Sequence, residues 1–429
     1  MKNKNKIMSR FELLRTLLAV GIAVIFAVVI IFLVSSQPME AIYKFFVAPL
    51  TSFRYIANII ELMTPLLFTG LAVTFILQTK VYNLAVEGMF YAGGLAAAMV
   101  ATLLKMGPGV HAFTALFAGL AAGALIAFLP AVLKLKFEAN EIVSSLMLNY
   151  ITFYIGDFLL KTYMKDPKST HVASLKFAKT ARLFEFTRGI HLGLVIAVIL
   201  VVAAWLFLYH TKWGYAIRMC GENKNFAKYS GIGVTGTILL SQIIGGAVAG
   251  LGGAAYMMGS QQRFNWEWRS GYGWDGLIIA IIARNNPKFV PAGAFLLAYL
   301  RIGSDIMSRG TDVQNEVVSI IQGVIIVLIA ATGFLAGYKK KLTVKMTREA
   351  ADAERRSKMK ILEIVTSVSF LFSIIRMTTP ILYASMSYLV ADLAGVTNIG
   401  IEGMMLTCAL IGVVASAAFG GNAFLGFTA

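Results

Sequence analysis

Asn83 and Glu87 sit four apart at the head of an apolar run, in Asn83-Leu-Ala-Val-Glu87-Gly88-Met89. The arrangement returns 315 positions later as Asn398-Ile-Gly-Ile-Glu402-Gly403-Met404. The same offset pairs Thr64-Pro65 with Thr379-Pro380, Leu67 with Leu382 and Val81 with Val396. An offset held over about 26 residues marks an internal repeat. A carboxylate in or beside a membrane span is costly, which makes it a functional candidate. Residues four apart share one face of a helix. Two readings stay open. Asn83 and Glu87 line the pathway or pin the broken helix two; or Asn83 is an N-cap and Glu87 stabilises the positive end of its own helix, and the two are compatible. Asn140, Glu141 and Asn149 divide the same way. Asp275, ahead of a short apolar element, either caps it or contacts Arg269.

Other chemistries find little support. His111, His171, His191 and His210 are scattered with no paired spacing, so no metal site is expected. Cys220 and Cys408 are isolated thiols. Gly231-Ile-Gly233-Val-Thr-Gly236 matches a dinucleotide fingerprint, but it follows no strand and opens an apolar span, and the fingerprint works only in a strand–turn–helix setting. No nucleophile elbow appears. No Gly-rich loop ending in Lys-Ser or Lys-Thr occurs, so the chain binds no ATP in the P-loop manner and needs no cofactor of its own.

The elements that must position these residues are membrane helices. Hydrophobic residues make up 58% of the 429, charged residues 14%, and mean hydropathy is +0.76. A soluble domain is nearer half apolar and a quarter charged. The net charge of +17 gathers between apolar runs, as positive-inside topology requires, and does not call for a nucleic-acid partner. The fold class is all-α: a polytopic transmembrane bundle of about ten spans. The N-terminal run, Thr16 to Val34, follows Lys2, Lys4, Lys6 and Arg10 among its preceding cations and lacks a cleavage site, so it reads as an uncleaved first span with the N-terminus inside. Residues 35–55 connect on the outside. Ile56 to Leu77 is span two, broken at Thr64-Pro65 and therefore interior. Leu84 to Leu104, Phe113 to Leu133, and a fifth span ending near Leu160 follow. Residues 161–190 lie outside although they are basic. Spans six and seven are His191 to Tyr209 and Val234 to Met258. Leu277 to Ala283 is too short to cross and reads as re-entrant. Val290 to Ile306 and Val317 to Tyr338 complete the set. Trp266, Trp268 and Trp274 suit an interfacial belt.

Lys339 to Lys360 carries nine Lys or Arg against three acids and faces the inside. Met359 then heads a new apolar run that leads into the second copy of the repeat. The expected organisation is a complete unit, 1–358, joined to the opening of a related unit, 359–429, as in a longer two-unit fusion or a truncated read-through. One parity problem comes with it: Ile361 to Ile375 is short for the outward crossing the repeat would need.

The loop after span six is the strongest functional signal. A bare connector would be only basic, whereas this one sets Glu222 and Asn223 between Gly221 and Gly231. Arg218-Met-Cys-Gly221-Glu222-Asn223-x-x-x-Ala227-x-x-x-Gly231-Ile232 resembles the coupling-loop motif of ABC importer permeases for simple sugars, nucleosides and branched-chain amino acids. Asn140-Glu141-Ile-Val-x-x-Leu146-Met147-Leu148-Asn149-Tyr150 and Gly273-Trp-Asp275-Gly276-Leu-x-x-Ala280-x-x-Ala-Arg284-x-Asn286-Pro287 are similar to the nucleoside-type branch. The resemblance covers 60–335. The stretch 359–429 resembles the sister permease of such a system. The sequence departs from the family pattern at Cys220 and Ala283. The resemblance implies alternating access through two permease subunits, with a separate cytoplasmic ATPase that binds the ATP and grips Arg218, Gly221, Glu222, Asn223, Ala227 and Gly231. It also implies an extracytoplasmic binding lipoprotein and a place in the plasma membrane, among its lipids. Simple sugars are the alternative cargo. An ion-coupled secondary carrier, which also uses repeats and broken helices, is the alternative class.

Overall fold

The structure is a computed structural model that describes residues 21–22, 24–187, 189–265, 270–313, 323–324, 368–393 and 401–418. It falls into two compact units, Met1–Ala336 and Gly337–Ala429. The expected joint at 358/359, the start of the first span, most of Val317 to Tyr338, Trp266, Trp268 and Arg269 lie outside the described residues.

Among its described residues the first unit is mainly helical, with one small hairpin and an isolated bridge between Lys165 and Ser174. Its helices are α1 (Val24–Val34), α2 (Pro38–Phe46), α3 (Ala48–Thr51), α4 (Phe53–Gln78), α5 (Val86–Leu103), α6 (Val110–Phe137) and α7 (Glu141–Leu159), then α8 (Leu192–His210), α9 (Lys212–Glu222), α10 (Lys224–Tyr229), α11 (Val234–Ser260), α12 (Tyr272–Ile282) and α13 (Val290–Gly310). Seven helices among the described residues are long and apolar enough to cross a bilayer. This is a multi-pass membrane protein.

The expected break at Thr64-Pro65 does not occur. The chain stays helical from Phe53 to Gln78 with Pro65 inside. Proline costs the helix one backbone donor. The packing of α11, α12 and α13 around α4 holds the turn through that loss. Thr64 Oγ1 donates to the Ile60 carbonyl at 3.0 Å. The interior placement expected for this span stands, since Thr64, Pro65 and the eleven residues after them are all buried.

Helices α5, α6 and α11 form the tightest seam, built from residues with almost no side chain. A β-carbon on Gly93 would lie 2.1 Å from the Gly250 carbonyl oxygen, and one on Gly123 would lie 2.2 Å from that of Gly246. Lipid supplies no hydrophobic drive between helices, so such backbone approach is what holds them together.

Beyond α7 the chain folds back over the far ends of α5 and α11. Ala178 N–H donates to the Ala101 carbonyl, Leu183 N–H to Met258, and Ser174 N–H to Phe264. An antiparallel hairpin, β1 (Glu185–Thr187) with β2 (Ile190–His191), closes this cap. The Arg263–Asp166 ion pair at 2.8 Å fastens it.

The second unit contains α14 (Val368–Leu393) and α15 (Ile401–Ala418). These bounds are those of α4 and α5 shifted by 315 at all four ends. The repeat seen in the sequence is therefore a repeat of helices, with Pro380 again inside its helix.

Candidate functional sites

The first site is a buried polar node where α5 begins. Asn83 accepts from Ala85 N–H at 3.0 Å, closing a tight turn ahead of the helix. From α7, Asn149 reaches across with both ends of its amide. Its Oδ1 accepts from Gly88 N–H at 2.8 Å and its Nδ2 donates to the Leu84 carbonyl at 2.9 Å. Ser145 Oγ accepts from Leu84 N–H at 3.0 Å. A helix start leaves backbone donors unpaired, and here a neighbouring helix satisfies them.

Glu87, only 2% exposed, sits in the first turn of α5, at the positive end of its own helix, and its oxygens also reach another segment. Its carboxylate accepts from Gly271 N–H at 2.8 Å, Ser270 Oγ at 2.9 Å and Gly273 N–H at 2.7 Å. It therefore caps the N-terminus of α12, where the helix dipole favours negative charge. The helix it pins is α12, not α4. Asp275 in the first turn of α12 is held by Arg301 of α13, with 2.7 and 2.6 Å contacts to its two oxygens.

The setting of this node follows from α12. Gly276 packs on Thr69, and Gln78 Nε2 donates to the Asn285 carbonyl at 2.5 Å. Thr69 and Gln78 are separated by about 14 Å of helix. So α12 runs beside the last turns of α4, and its 11 residues are too few to cross a roughly 30 Å hydrocarbon layer. This agrees with the re-entrant element expected at 277–283. Phe90, Tyr256 and Tyr272 gather beside it with ring centroids 5.3 to 6.4 Å apart.

Asn140 and Glu141 lie at the other end of α7 and do not join the node. Asn140 is the N-cap of α7, accepting from Ile142 and Val143 N–H. Glu141 pairs with Lys134 of α6 at 2.9 Å.

The second site is the helical hairpin α9–α10 at the end of the bundle where α4 finishes. Thr211 caps α9 through Gly214 N–H. Asn223 ends α9 and starts α10, its Oδ1 accepting from Phe226 N–H at 3.0 Å. Gly231 has φ +76°. With it, Ile232 N–H reaches the Ala227 carbonyl and Gly231 N–H that of Lys228. This paired closure favours glycine at the left-handed position. Ala227 is buried, whereas Glu222, Asn223, Lys224, Phe226, Lys228 and Tyr229 are exposed, Tyr229 at 91%. Gly221 sits under the end of α4, where a β-carbon would lie 1.8 Å from the Gln78 carbonyl oxygen. Arg218 lies over the Tyr209 ring at 4.7 Å.

Sequence reasoning missed Ser145, Ser270 and Arg301. Arg301 was findable, because a lone arginine within an apolar span is itself a signal. The serines carried none.

The described residues thus form a membrane bundle with a short helix pinned by buried polar groups and an exposed hairpin at one end. The family described as branched-chain amino acid transport system / permease component matches residues 55–330, and the chain belongs to it. The chain is 31% identical to the guanosine ABC transporter permease protein NupP of Bacillus subtilis, over 67% of this chain and 85% of the relative. It is 30% identical to the glucose ABC transporter permease protein TsgB13 of Haloferax volcanii, over 71% and 83%. It is 25% identical to the nucleoside ABC transporter permease protein NupB of Lactococcus lactis, over 77% and 92%. No solved structure matches.

Proposed function

We propose that this chain is the permease subunit of an ATP-driven importer of nucleosides, working by alternating access. A separate cytoplasmic ATPase binds the ATP and docks on α9–α10. A second permease subunit completes the pathway, and an extracytoplasmic binding lipoprotein delivers the cargo. The N-terminus and α9–α10 face the cytoplasm across a plasma membrane.

The observation that carries this reading is the hairpin itself. It is capped at three points and seated on α4 through Gly221, yet it offers Phe226 and Tyr229 to solvent. A connector needs neither rigidity nor exposed aromatic rings, which are typical of interface anchors. The guanosine and nucleoside permeases among the relatives favour nucleosides, and the glucose permease keeps simple sugars as the second cargo.

The test is Glu222→Lys in the assembled transporter. Uptake and ATPase association should both be lost while the protein stays in the membrane. Unchanged ATP-dependent uptake would remove the docking role. A nucleoside panel titrated onto the partner lipoprotein assigns the cargo, and binding of glucose alone would move it to sugars.

A further inference from the structure

A cleft of about 410 Å³ opens beside the hairpin and is lined by residues of four different segments. Lys80 follows α4, Tyr209 closes α8, Arg218 and Glu222 belong to α9, and Arg284 and Asn285 follow α12. Three cations thus face one carboxylate. Binding cavities for small ligands begin at about this size. The guanidinium of Arg218 lies against Tyr209, and its Nε is buried with no hydrogen-bond partner among the described residues.

The backbone adds a second, independent observation. Lys80, Arg284 and Asn285 have φ of 52°, 53° and 54°. Arg284 closes α12 in a paired arrangement, with Asn285 N–H on the Ala280 carbonyl and Arg284 N–H on that of Ile281. Glycine is favoured at that position, and asparagine is tolerated. Lysine and arginine there hold the left-handed region at a cost. The bland account is that each cation stabilises the negative end of its own helix. That account does not require the left-handed residue itself to be the cation, since a charge within the last turn does as well. Nor does it bring both helix ends, with Arg218, to one cavity.

We infer that this cleft binds the phosphate of an anionic phospholipid headgroup from the leaflet at the α9–α10 end. The location argues for lipid over a soluble anion. The cleft lies where the membrane helices α4 and α8 end, and tyrosines and cations are the residues that meet headgroups at that level. A lipid bound there touches α4, α9 and the end of α12 together, so it ties membrane composition to the element that docks the motor. The cleft shares Arg218, Gly221 and Glu222 with the docking reading, and a retention assay without ATPase tests the lipid separately.

The test uses the full chain in nanodiscs of phosphatidylcholine with a minor fraction of phosphatidylglycerol, with retained lipid counted by native mass spectrometry. The native chain should keep phosphatidylglycerol selectively. The double variant Lys80→Gly, Arg284→Gly should lose that retention about 25-fold, or about fivefold per cation. Its unfolding temperature should hold or rise, because glycine relaxes both turns. Arg218→Gln should cost about another fivefold. Asparagine at positions 80 and 284 gives the same reading should the glycine pair fail to fold. Unchanged retention in these variants overturns the inference, as does a fallen unfolding temperature with retention intact, which returns the cations to their helix ends. Competition by soluble glycerol phosphate at millimolar concentration would make the site one for free anions and overturn the lipid assignment.

Discussion

Glu87 and Glu222 both stand at helix ends, in opposite surroundings. Glu87 is enclosed, and three donors from a segment more than 180 residues away converge on it. Glu222 is exposed on a hairpin whose own caps are made by Thr211, Asn223 and Gly231. The node is therefore part of what makes the bundle a bundle. The hairpin is a finished piece whose outward face is free for something else. One type of residue at one type of position serves assembly in the first case and encounter in the second.

That contrast can be broken. Glu87→Ala leaves Gly271 and Gly273 N–H unpaired in a buried place, and about 3 kcal/mol of stability should go. The measurement is thermal unfolding of the detergent-purified chain, and a loss below 1 kcal/mol would strip the node of its structural role. Asn149→Ala removes two buried hydrogen bonds and should cost about 2 kcal/mol in the same assay. Tyr229→Ala should leave stability within about 0.5 kcal/mol while weakening ATPase association in a pull-down. Equal stability losses at Tyr229 and Asn149 would erase the distinction between the sites.

The smallest expected effect concerns the cap over α5 and α11. The Lys168 backbone N–H, then Arg263, hold the Asp166 carboxyl below its ordinary range. The folded value is depressed, so the stabilisation is complete above the ordinary carboxylate value and is lost as pH falls through the lower one. Acid should loosen the cap, read as lower amide protection factors at Ser174 and Leu175, each taken against the intrinsic exchange rate at the same pH. Asp166→Asn should flatten that pH dependence.

Much of this was legible in the chain, for stated reasons. Apolar runs of fixed length identify spans, and the offset of 315 predicts α14 and α15 from α4 and α5 to the residue. Glu87, Asn149 and Asp275 stood out because polar groups in apolar surroundings are costly. Their partners did not, because periodicity reports the face of a helix and never the identity of what lies across from it. Hence α12 was missed as the helix that Glu87 pins, and Arg301 as the companion of Asp275. Thr64-Pro65 misled for a related reason. A proline announces a missing donor, but whether the helix yields there depends on neighbours that local sequence does not name.

Gly221 has a mechanical consequence. With hydrogen where a side chain would be, α9 and the last carbonyls of α4 touch backbone to backbone. A side chain between them would act as a cushion and absorb the first ångström of any shove. Without one, the joint has no slack, and α4 must answer any displacement of the surface hairpin at once, carrying with it the half-helix that leans along its length.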